Sequence, residues 1–413
     1  MNLYSIALVA ALLFVYLIET IAKILNLRSL EAELPKEFVG VYDPATYARS
    51  QMYTRTTTRF DFVHSISAVI VLLSFWFLGG FNALDVIVRG FGLPELANGL
   101  IYIGLLAFAN AVLTLPFDAY ATFVIEERFG FNKTDMRTFI LDRIKGLALI
   151  ALIGGSVLTA IMAFFLWAGA LAWLYAWGAM TLFTLLISFI APSWILPLFN
   201  KFTPLQSGEL RSAIFDYAAS VAFPLSNIYV MDGSKRSAKS NAFFTGFGKN
   251  KRIALFDNLI EKHSVAELVA ILAHEIGHYK KRHILIRIML SVAQYGVVFY
   301  LFSLILDSRA IFEAFMMEEM SVYAGLVFFG ILYSPISFVL SIFMNAFSRY
   351  HEYQADRFAA ATTGHKQQLI RALKTLSINN LSNLTPHPFL VFINYSHPPV
   401  LKRIEAIERC AQA

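Results

Sequence analysis

The residues of this chain best placed to do chemistry lie in the segment His-Glu-Ile-Gly-His, at positions 274–278. Positions i and i+4 of a helix share one face, so His274 and His278 can bind one metal ion. Glu275 is turned by about 100° from His274, where its carboxylate can accept a proton from a water molecule at the metal. The H-E-x-x-H pattern is the signature of zinc peptidases and predicts metal-assisted hydrolysis of a peptide bond.

The surrounding sequence predicts that this motif lies on a helix. Ser264 and Glu267 have the spacing of a capping box, and an apolar run follows at 268–272. Gly277 costs a helix about 1 kcal/mol relative to alanine, so we expect it to allow another element to pack closely beside the metal. The alternative is an ordinary helix that carries two surface histidines.

A catalytic zinc site needs a third protein ligand. The acidic residues between positions 307 and 319 are separated from the motif by a predicted membrane-spanning helix, which places them about 30 Å away from it. The chain returns at residue 348, and Glu352 and Asp356 then occupy positions i and i+4 of a predicted helix. One of the two can bind the metal, and the other can accept the free ring N–H of a ligand histidine. A solvated helix face is the alternative, and His283 and His351 are rival ligands, although His283 lies off the ligand face.

The composition identifies the environment of these residues. The chain has 413 residues, of which 57% are hydrophobic and only 15% charged, whereas soluble domains carry roughly 25% charged residues. A soluble globule could not bury so much apolar surface, and disordered chains are poor in aromatic residues, which excludes both classes. The single cysteine, Cys410, excludes an internal disulfide and a multi-cysteine metal cluster. An integral membrane protein remains.

Stretches without formal charges predict seven membrane spans. The first covers about residues 3–25, and charge-free stretches follow at 62–84, 96–117, 146–200, 288–306 and 321–348. The stretch 146–200 is too long for one span, so we expect it to fold back at the small residues 168–170.

Basic residues predict the orientation of these spans. They collect in the loops 26–61 and 118–145 and in the polar segments 201–287 and 349–413, whereas the alternate loops are poor in them. The positive-inside rule therefore places the N-terminus outside and the C-terminus in the cytoplasm. This topology accounts for the net charge of +6, so we expect the lipid bilayer as a partner and no nucleic acid.

The chain is therefore predicted to consist of four parts. Residues 1–200 form five membrane helices, 201–287 a cytoplasmic segment with the H-E-x-x-H helix, 288–348 two further spans, and 349–413 a cytoplasmic helical segment with the third ligand. Short strands are predicted at 227–232, 241–246 and 252–257, and a glycine-rich turn joins the last two. A strand beside a zinc helix can pair with an extended peptide.

These patterns together resemble one known family. The motif at 274–278, followed by Glu-Tyr-Gln-Ala-Asp at 352–356, is similar to the type I CAAX prenyl endopeptidases, which are integral membrane zinc metalloproteases. The segments 125–132, 240–246, 251–257 and 396–399 match the same family, so the resemblance covers essentially the whole chain. It implies an all-α membrane fold in which seven helices surround a water-filled chamber, with the zinc site and a small β element at the cytoplasmic end.

The resemblance also implies the roles of individual residues. Glu352 corresponds to the metal-binding glutamate of the family, and Asp356 to the aspartate that supports a ligand histidine. Asn241 and His397 correspond to residues associated with substrate and transition-state binding, and Arg403 to an arginine near that site. The implied cofactor is one zinc ion per chain, and the implied partners are peptide or lipidated-protein substrates of the prenylated CAAX type.

Other possibilities remain open from the sequence. The chain ends in Cys-Ala-Gln-Ala without the lysine pair that eukaryotic members often carry. We therefore expect a prokaryotic source and a bacterial inner membrane, or the endoplasmic reticulum if the source is eukaryotic. In a prokaryote, misfolded membrane proteins are an alternative substrate that requires no prenylation. A seven-span receptor or transporter is the alternative from a different class, and the oligomeric state is not predicted.

Overall fold

The structure is a computed structural model that describes residues 2–245 and 252–410. Seven helical segments of this part of the chain are long and apolar enough to cross a membrane: Leu3–Arg28, Pro44–Phe77, Glu95–Glu126, Met136–Trp167, Gly169–Leu198, His283–Leu306 and Val322–Thr363. The predicted seven spans are thereby confirmed, and the fold is helical with one small sheet.

The regular helices of the first five spans, with one short helix between the second and third spans, are α1 (Leu3–Arg28), α2 (Pro44–Phe77), α3 (Gly80–Arg89), α4 (Glu95–Tyr120), α5 (Met136–Leu149), α6 (Gly155–Trp167) and α7 (Ala172–Ile190). The predicted reversal between the fourth and fifth spans is confirmed. Helix α6 ends at Trp167, and Gly169 adopts a φ of 57°, which residues other than glycine rarely adopt.

The remaining helices are α8 (Glu209–Ser220), α9 (Asp257–Lys262), α10 (Val265–Lys280), α11 (His283–Leu306), α12 (Arg309–Ala314), α13 (Val322–Thr363), α14 (Lys366–Asn379), α15 (Pro388–Asn394) and α16 (Val400–Glu408). Helix α13 is the longest of them. It continues without interruption from the seventh span into the segment that carries Glu352 and Asp356, so the third predicted ligand is held by a rigid extension of a membrane helix.

The spans close into a ring. Contacts run from α1 to α2, through α3 to α4, then to α6, α7, α11 and α13, and from α13 back to α1. Large apolar side chains such as Leu152, Leu182 and Phe343 remain exposed on the spans, as expected for helices that face lipid. The predicted fold class, a helical membrane protein with seven spans and a small sheet, is confirmed.

Some helix boundaries differ from the predicted spans. Helix α2 begins at Pro44, so the predicted loop 26–61 contains the start of a long helix whose first part carries Arg49, Arg55 and Arg59. It ends at Phe77, and α3 follows as a separate short helix after Gly79, which has a φ of 75°. A search for uncharged stretches cannot detect the polar extension of a membrane helix beyond the bilayer, which is why these boundaries were missed.

Within residues 2–245 and 252–410, the sheet has four strands in the order β1-β2-β4-β3. They are β1 (Phe202–Pro204), β2 (Asn227–Met231), β3 (Ala242–Thr245) and β4 (Arg252–Phe256). Strands β2 and β4 are parallel, while β1 and β3 pair antiparallel at the two edges. The three predicted strands are confirmed, whereas β1 was missed because it is only three residues long and ends in proline. The predicted glycine-rich turn at 246–251 lies outside the described residues.

Helix α10 lies at the centre of the polar half of the molecule. It packs against α8, α13 and α14 and contacts β3. Apolar residues of α10 that are almost fully buried, Leu268, Leu272 and Ile276, belong to the core that joins the sheet to the C-terminal helices. The motif helix is therefore fixed on most of its circumference, and its remaining face is available for the site.

Candidate active site

The predicted start of the motif helix is present as a capping box. The Ser264 side chain accepts a hydrogen bond from the backbone N–H of Glu267, and the Glu267 side chain accepts one from the backbone N–H of Ser264. Near the end of α10, His274 is buried, and His278, one turn later, is partly buried. Their Nε2 atoms lie 3.1 Å apart and face the same point.

Glu352 of α13 completes this cluster. Its Oε1 lies 3.2 Å from Nε2 of His278, and its Oε2 lies 3.4 Å from Nε2 of His274. Ligand atoms of the three side chains all lie within 4.8 Å of one another. Glu352 Oε2 is buried and has no hydrogen-bond partner among the described residues, which would be costly for a carboxylate that bound nothing. Two imidazoles and one carboxylate form a known donor set of catalytic zinc, so the residues fit a metal ion.

Gly277 allows the two helices of the cluster to approach each other. A Cβ atom at this position would lie 3.1 Å from the Cα and 3.2 Å from the backbone oxygen of Ala355. Ala355 lies on α13 between Glu352 and Asp356. The expectation that Gly277 serves close packing beside the site is therefore confirmed.

Asp356 lies behind the cluster and is almost completely buried. Its Oδ1 is 2.9 Å from Nδ1 of His274. The Arg403 guanidinium donates to both oxygens of Asp356, from Nε at 2.8 Å and from a terminal nitrogen at 2.6 Å. Asp356 thus connects a candidate ligand to a partly buried arginine that lies 47 positions further along the chain.

The surroundings of His274 favour positive charge. Burial alone lowers the pKa of this histidine, but hydrogen bonds to Asp356 and Glu352 outweigh burial and raise the pKa to about 9. Arg403 opposes this effect with its own positive charge. An environment that stabilises a proton on buried His274 also suits a divalent cation at the same place.

The two rival histidines do not join the cluster. His283 places its Nδ1 3.0 Å from Nδ1 of His278, which is the nitrogen that faces away from Glu352. His351 stacks on His283, with ring centroids 3.8 Å apart. Among the described residues, His274, His278 and Glu352 alone form a group of metal-binding side chains.

A cavity of about 420 Å³ opens beside the cluster. It is lined by the three candidate ligands, by Glu275 and by the other predicted site residues Asn241, His397 and Arg403, with apolar side chains of α14 on another wall. Nε2 of His397 is 3.4 Å from Oε1 of Glu352, although 65% of the His397 side chain is exposed. Asn241 is exposed immediately before β3, the edge strand that contacts α10. The structure therefore brings all the predicted site residues together, with Asp356 behind the wall of the cavity.

Sequence reasoning missed two contributors to this cavity. Arg287 of α11 and the apolar wall formed by Leu373 and Leu376 of α14 also line it. A signal for Arg287 was available, because an ionisable residue near the beginning of a membrane span commonly faces water or a site. The apolar wall carried no such signal, since α14 has the pattern of an ordinary amphipathic helix.

A seven-span membrane protein with this cluster, a neighbouring glutamate and an adjacent edge strand has the features of a membrane-embedded metalloprotease. Comparisons with known proteins agree. Residues 23–201 match the family model described as CAAX prenyl protease N-terminal, five membrane helices, and residues 204–411 match Peptidase family M48. The chain belongs to the CAAX prenyl protease family of M48 peptidases. The receptor or transporter alternative is therefore wrong.

Curated relatives are similar over nearly their full length. The chain is 36% identical to the CAAX prenyl protease 1 homolog of Oryza sativa, over 98% of this chain and 97% of that protein. It is 34% identical to CAAX prenyl protease 1 of Saccharomyces cerevisiae, over 92% and 89%. Among solved structures it resembles the crystal structure of S. mikatae Ste24p, with a TM-score of 0.92, 33% identity and coverage of 99% of this chain and 100% of that one.

Proposed function

We propose that this metalloprotease is a zinc endopeptidase that hydrolyses peptide bonds near the C-terminus of prenylated CAAX-type proteins or of other membrane-associated peptides. The observation that carries the proposal is the convergence of His274, His278 and Glu352, with ligand atoms within 4.8 Å of one another, on the cavity that Glu275 also lines. This arrangement has the three protein ligands and the open side that a catalytic zinc site requires.

Each residue of the motif has a separate task in this proposal. His274, His278 and Glu352 would hold one zinc ion, which when bound would supply Lewis acidity to a water molecule and to the scissile carbonyl group. The Glu275 carboxylate accepts a proton from the attacking water and transfers it to the nitrogen of the leaving amine.

The surrounding side chains support these tasks. Asp356 accepts a hydrogen bond from the Nδ1–H group of His274, which leaves the Nε2 lone pair of this histidine free to bind the metal. The resemblance implied that Arg403 lies near the residues that bind substrate and the transition state, but its bidentate contact with Asp356 favours a positioning role for this arginine. His397 and Asn241 face the cavity next to Glu352 and before β3, where they can donate hydrogen bonds to the substrate or to the developing oxyanion.

The sheet edge suggests how the substrate binds. In the part of the chain that the structure describes, strand β3 pairs with β4 on one side only, so its other side can pair with an extended peptide. The relatives are named as prenyl proteases, and a site held by extensions of membrane helices suits a substrate anchored in the bilayer by a lipid. The preferred substrate class is therefore a short extended segment next to a prenylated cysteine.

The orientation of the chain is part of the proposal. The loops 26–61 and 118–145 and the segments 201–287 and 349–413 lie in the cytoplasm, while residues 1–200 and 288–348 contain five and two spans respectively. The membrane is the bacterial inner membrane or, in a eukaryote, the endoplasmic reticulum.

Cysteine labelling tests this orientation. Cys410, the single cysteine of the sequence, should react with a membrane-impermeant maleimide only after cells are opened. In a Cys410→Ser background, a cysteine that replaces exposed Glu313 should react in intact cells or sealed compartments; the reverse pattern would contradict this orientation.

Substitution of Glu275 tests the reaction. Glu275→Gln should retain one equivalent of zinc and the fold, but lose peptide cleavage by about 100-fold or more. Elemental analysis gives the zinc content, and turnover is measured with farnesylated peptides and identical non-farnesylated peptides. Wild-type protein purified without bound zinc and insensitive to chelator and added zinc, or undiminished turnover by Glu275→Gln, would overturn the proposal. Equal cleavage of both peptides would favour a protease of misfolded membrane proteins that does not require prenylation.

A further inference from the structure

His283 belongs to a chain of contacts that leads to a candidate metal ligand. Its Nδ1 is 3.0 Å from Nδ1 of His278, and its Nε2 is 2.8 Å from Oε1 of Gln354. The ring is almost fully buried and lies parallel to the ring of His351, with an angle of 8° between the planes. Both ring nitrogens of His283 are therefore occupied, and stacking fixes the plane of the ring.

The partners of His283 determine the direction of these hydrogen bonds. The Gln354 oxygen can only accept, so Nε2 of His283 carries the proton. A neutral His283 then has an unprotonated Nδ1, which accepts a hydrogen bond from Nδ1 of His278. His278 in this tautomer has its lone pair on Nε2, the atom that lies 3.2 Å from Glu352.

A tight turn creates this arrangement. Helix α10 ends at Lys280, and α11 begins at His283 after Arg282, which adopts a φ of 60°. His283 is five positions beyond His278 and would lie off its face on a continuous helix. The left-handed residue reverses the chain, so His283 returns beside the ring of His278.

We propose that His283 is a positioning residue, which together with Gln354 holds the His278 ring in the tautomer and orientation that binds the metal. The inference depends on the zinc site proposed above. It gives His278 the same kind of support that Asp356 gives His274, but through a neutral imidazole and an amide in place of a carboxylate.

The test measures zinc affinity in four variants by competition with a chelator. His283→Ala should weaken zinc binding by about 10–100-fold, the range for partners that orient a ligand. His283→Asn should recover most of the loss, because its amide oxygen can accept from Nδ1 of His278. Gln354→Leu should weaken binding less than His283→Ala does. His351→Phe keeps a ring stacked on His283 but removes the ring nitrogens of residue 351. Because His351 supports His283 only through this stacking contact, zinc affinity in this variant should stay within about twofold of the wild-type value.

The possible outcomes distinguish a failure of this inference from a failure of the proposed zinc site. A wild-type protein that binds no zinc would overturn the site, whatever the variants do. If wild type binds zinc and both His283→Ala and Gln354→Leu keep its affinity, His283 does not position His278. If His283→Ala fails to fold, the zinc affinities of Gln354→Leu and His283→Asn test the inference instead. A residue that only supports the fold would leave the zinc affinities of these folded variants equal to that of wild type.

A second inference concerns Arg287, a positively charged residue that lines the cavity. Arg403 is bound to Asp356, whereas exposed Arg287 makes no hydrogen bond or ion pair with any residue in the described part of the chain. Arg287 lies one turn beyond His283 on the same face of α11. A guanidinium group without a partner, at the membrane side of a peptide-binding cavity, is suited to a carboxylate, which it can bind with two parallel hydrogen bonds.

We infer that Arg287 binds the free C-terminal carboxylate of the substrate peptide. This deepens the proposed function, because an anchored C-terminus fixes how many residues extend from the terminus to the scissile bond. The zinc site and Glu275 would still cleave a peptide that lacks this anchor, only less efficiently.

Peptides that end in a free acid or in an amide test this inference with wild type, Arg287→Gln and Arg287→Lys. Wild type should prefer the acid by about 10–100-fold in kcat/KM, since hydrogen bonds to charged groups contribute about 1.5–3 kcal/mol. Arg287→Gln should lose this preference while it retains zinc and cleavage of the amide, and Arg287→Lys should keep part of it. An unchanged preference in Arg287→Gln, or no preference in wild type, would overturn the role of Arg287 without affecting the proposed reaction.

Discussion

The Asp356 carboxylate lies 2.9 Å from Nδ1 of His274, while Nε2 of the same ring lies 3.4 Å from Glu352. The histidine is therefore held between a carboxylate that orients it and a carboxylate that shares its proposed metal ion. The two acidic residues are one helical turn apart on α13. A single helix thus supplies both contacts, and its position relative to α10 determines the geometry of the site.

Asp356→Asn should weaken zinc binding by about 10–100-fold, because the amide supports the ligand ring less well than the carboxylate does. Asp356→Ala should in addition lower the free energy of unfolding by about 3–5 kcal/mol, since it removes the main partner of mostly buried Arg403 and leaves it only a 3.7 Å contact with Glu352. Metal titration and denaturant unfolding of the two variants measure these effects separately. Zinc affinity equal to that of wild type in Asp356→Asn would show that the contact does not orient His274.

Removal of the third proposed ligand should have the largest effect on the metal. Glu352→Ala should abolish stoichiometric zinc binding, because it removes the negative charge that faces both histidines. Glu313→Ala is the control, since Glu313 is an exposed residue of α12 paired with Arg309. Elemental analysis after purification should give about one equivalent for the control and far less for Glu352→Ala. Loss of zinc in the control but not in Glu352→Ala would contradict both the ligand set and the assignment of the last two spans.

Rules that operate over short distances predicted most of the site. Helical spacing connected His274 to His278, and bilayer thickness excluded the intervening carboxylates and left Glu352 and Asp356. Seven spans followed from uncharged stretches. Each of these predictions required only a pattern in neighbouring residues or the known thickness of the bilayer.

Contacts that depend on tertiary structure were beyond these rules. Arg403 reaches Asp356 because α16 packs on α13, and no spacing in the sequence indicates that pair. His283 was predicted to lie off the ligand face, as a helix would require, but the left-handed Arg282 returns it to the other nitrogen of His278. Strand β1 is too short to produce an alternating pattern.

Lys239 should control the position of the proposed substrate strand. Its ammonium group lies 2.8 Å from the hydroxyl of Tyr53 and 3.0 Å from the carboxylate of Glu126, and so connects two membrane helices to the segment before Asn241. Lys239→Met should raise KM for peptides several-fold and leave zinc content unchanged, because the strand is displaced but the metal ligands are not. Steady-state kinetics and elemental analysis give the two values.

Lys402→Met is the matched control for this prediction. Lys402 is an exposed lysine whose one ion pair among the described residues is with Glu405, three positions away, so its replacement should leave KM near the wild-type value. A rise in KM that is the same in both variants would indicate a general effect of lost charge. Loss of zinc in Lys239→Met would show that the segment also supports the metal cluster.

Gly277→Ala should separate the two helices that supply the ligands. The added Cβ would meet backbone atoms of Ala355 at 3.1 and 3.2 Å, and backbone cannot rotate away as a side chain can. Alanine gains about 1 kcal/mol of helix propensity, whereas overpacking costs about 1–3 kcal/mol, so we expect net destabilisation. Because α13 must shift with Ala355, Glu352 should also move relative to the histidines of α10, and zinc affinity should fall with stability.

Gly178→Ala is the control for the intrinsic effect of alanine, since a Cβ at Gly178 in α7 would have no neighbour within 4 Å. Thermal unfolding in detergent and chelator competition should be measured on both variants. We expect Gly178→Ala to match or exceed wild type in thermal stability and to bind zinc equally well. If Gly277→Ala behaves in the same way, the packing of α10 on α13 is loose enough to accept a methyl group, and the close approach at Ala355 does not set the position of Glu352.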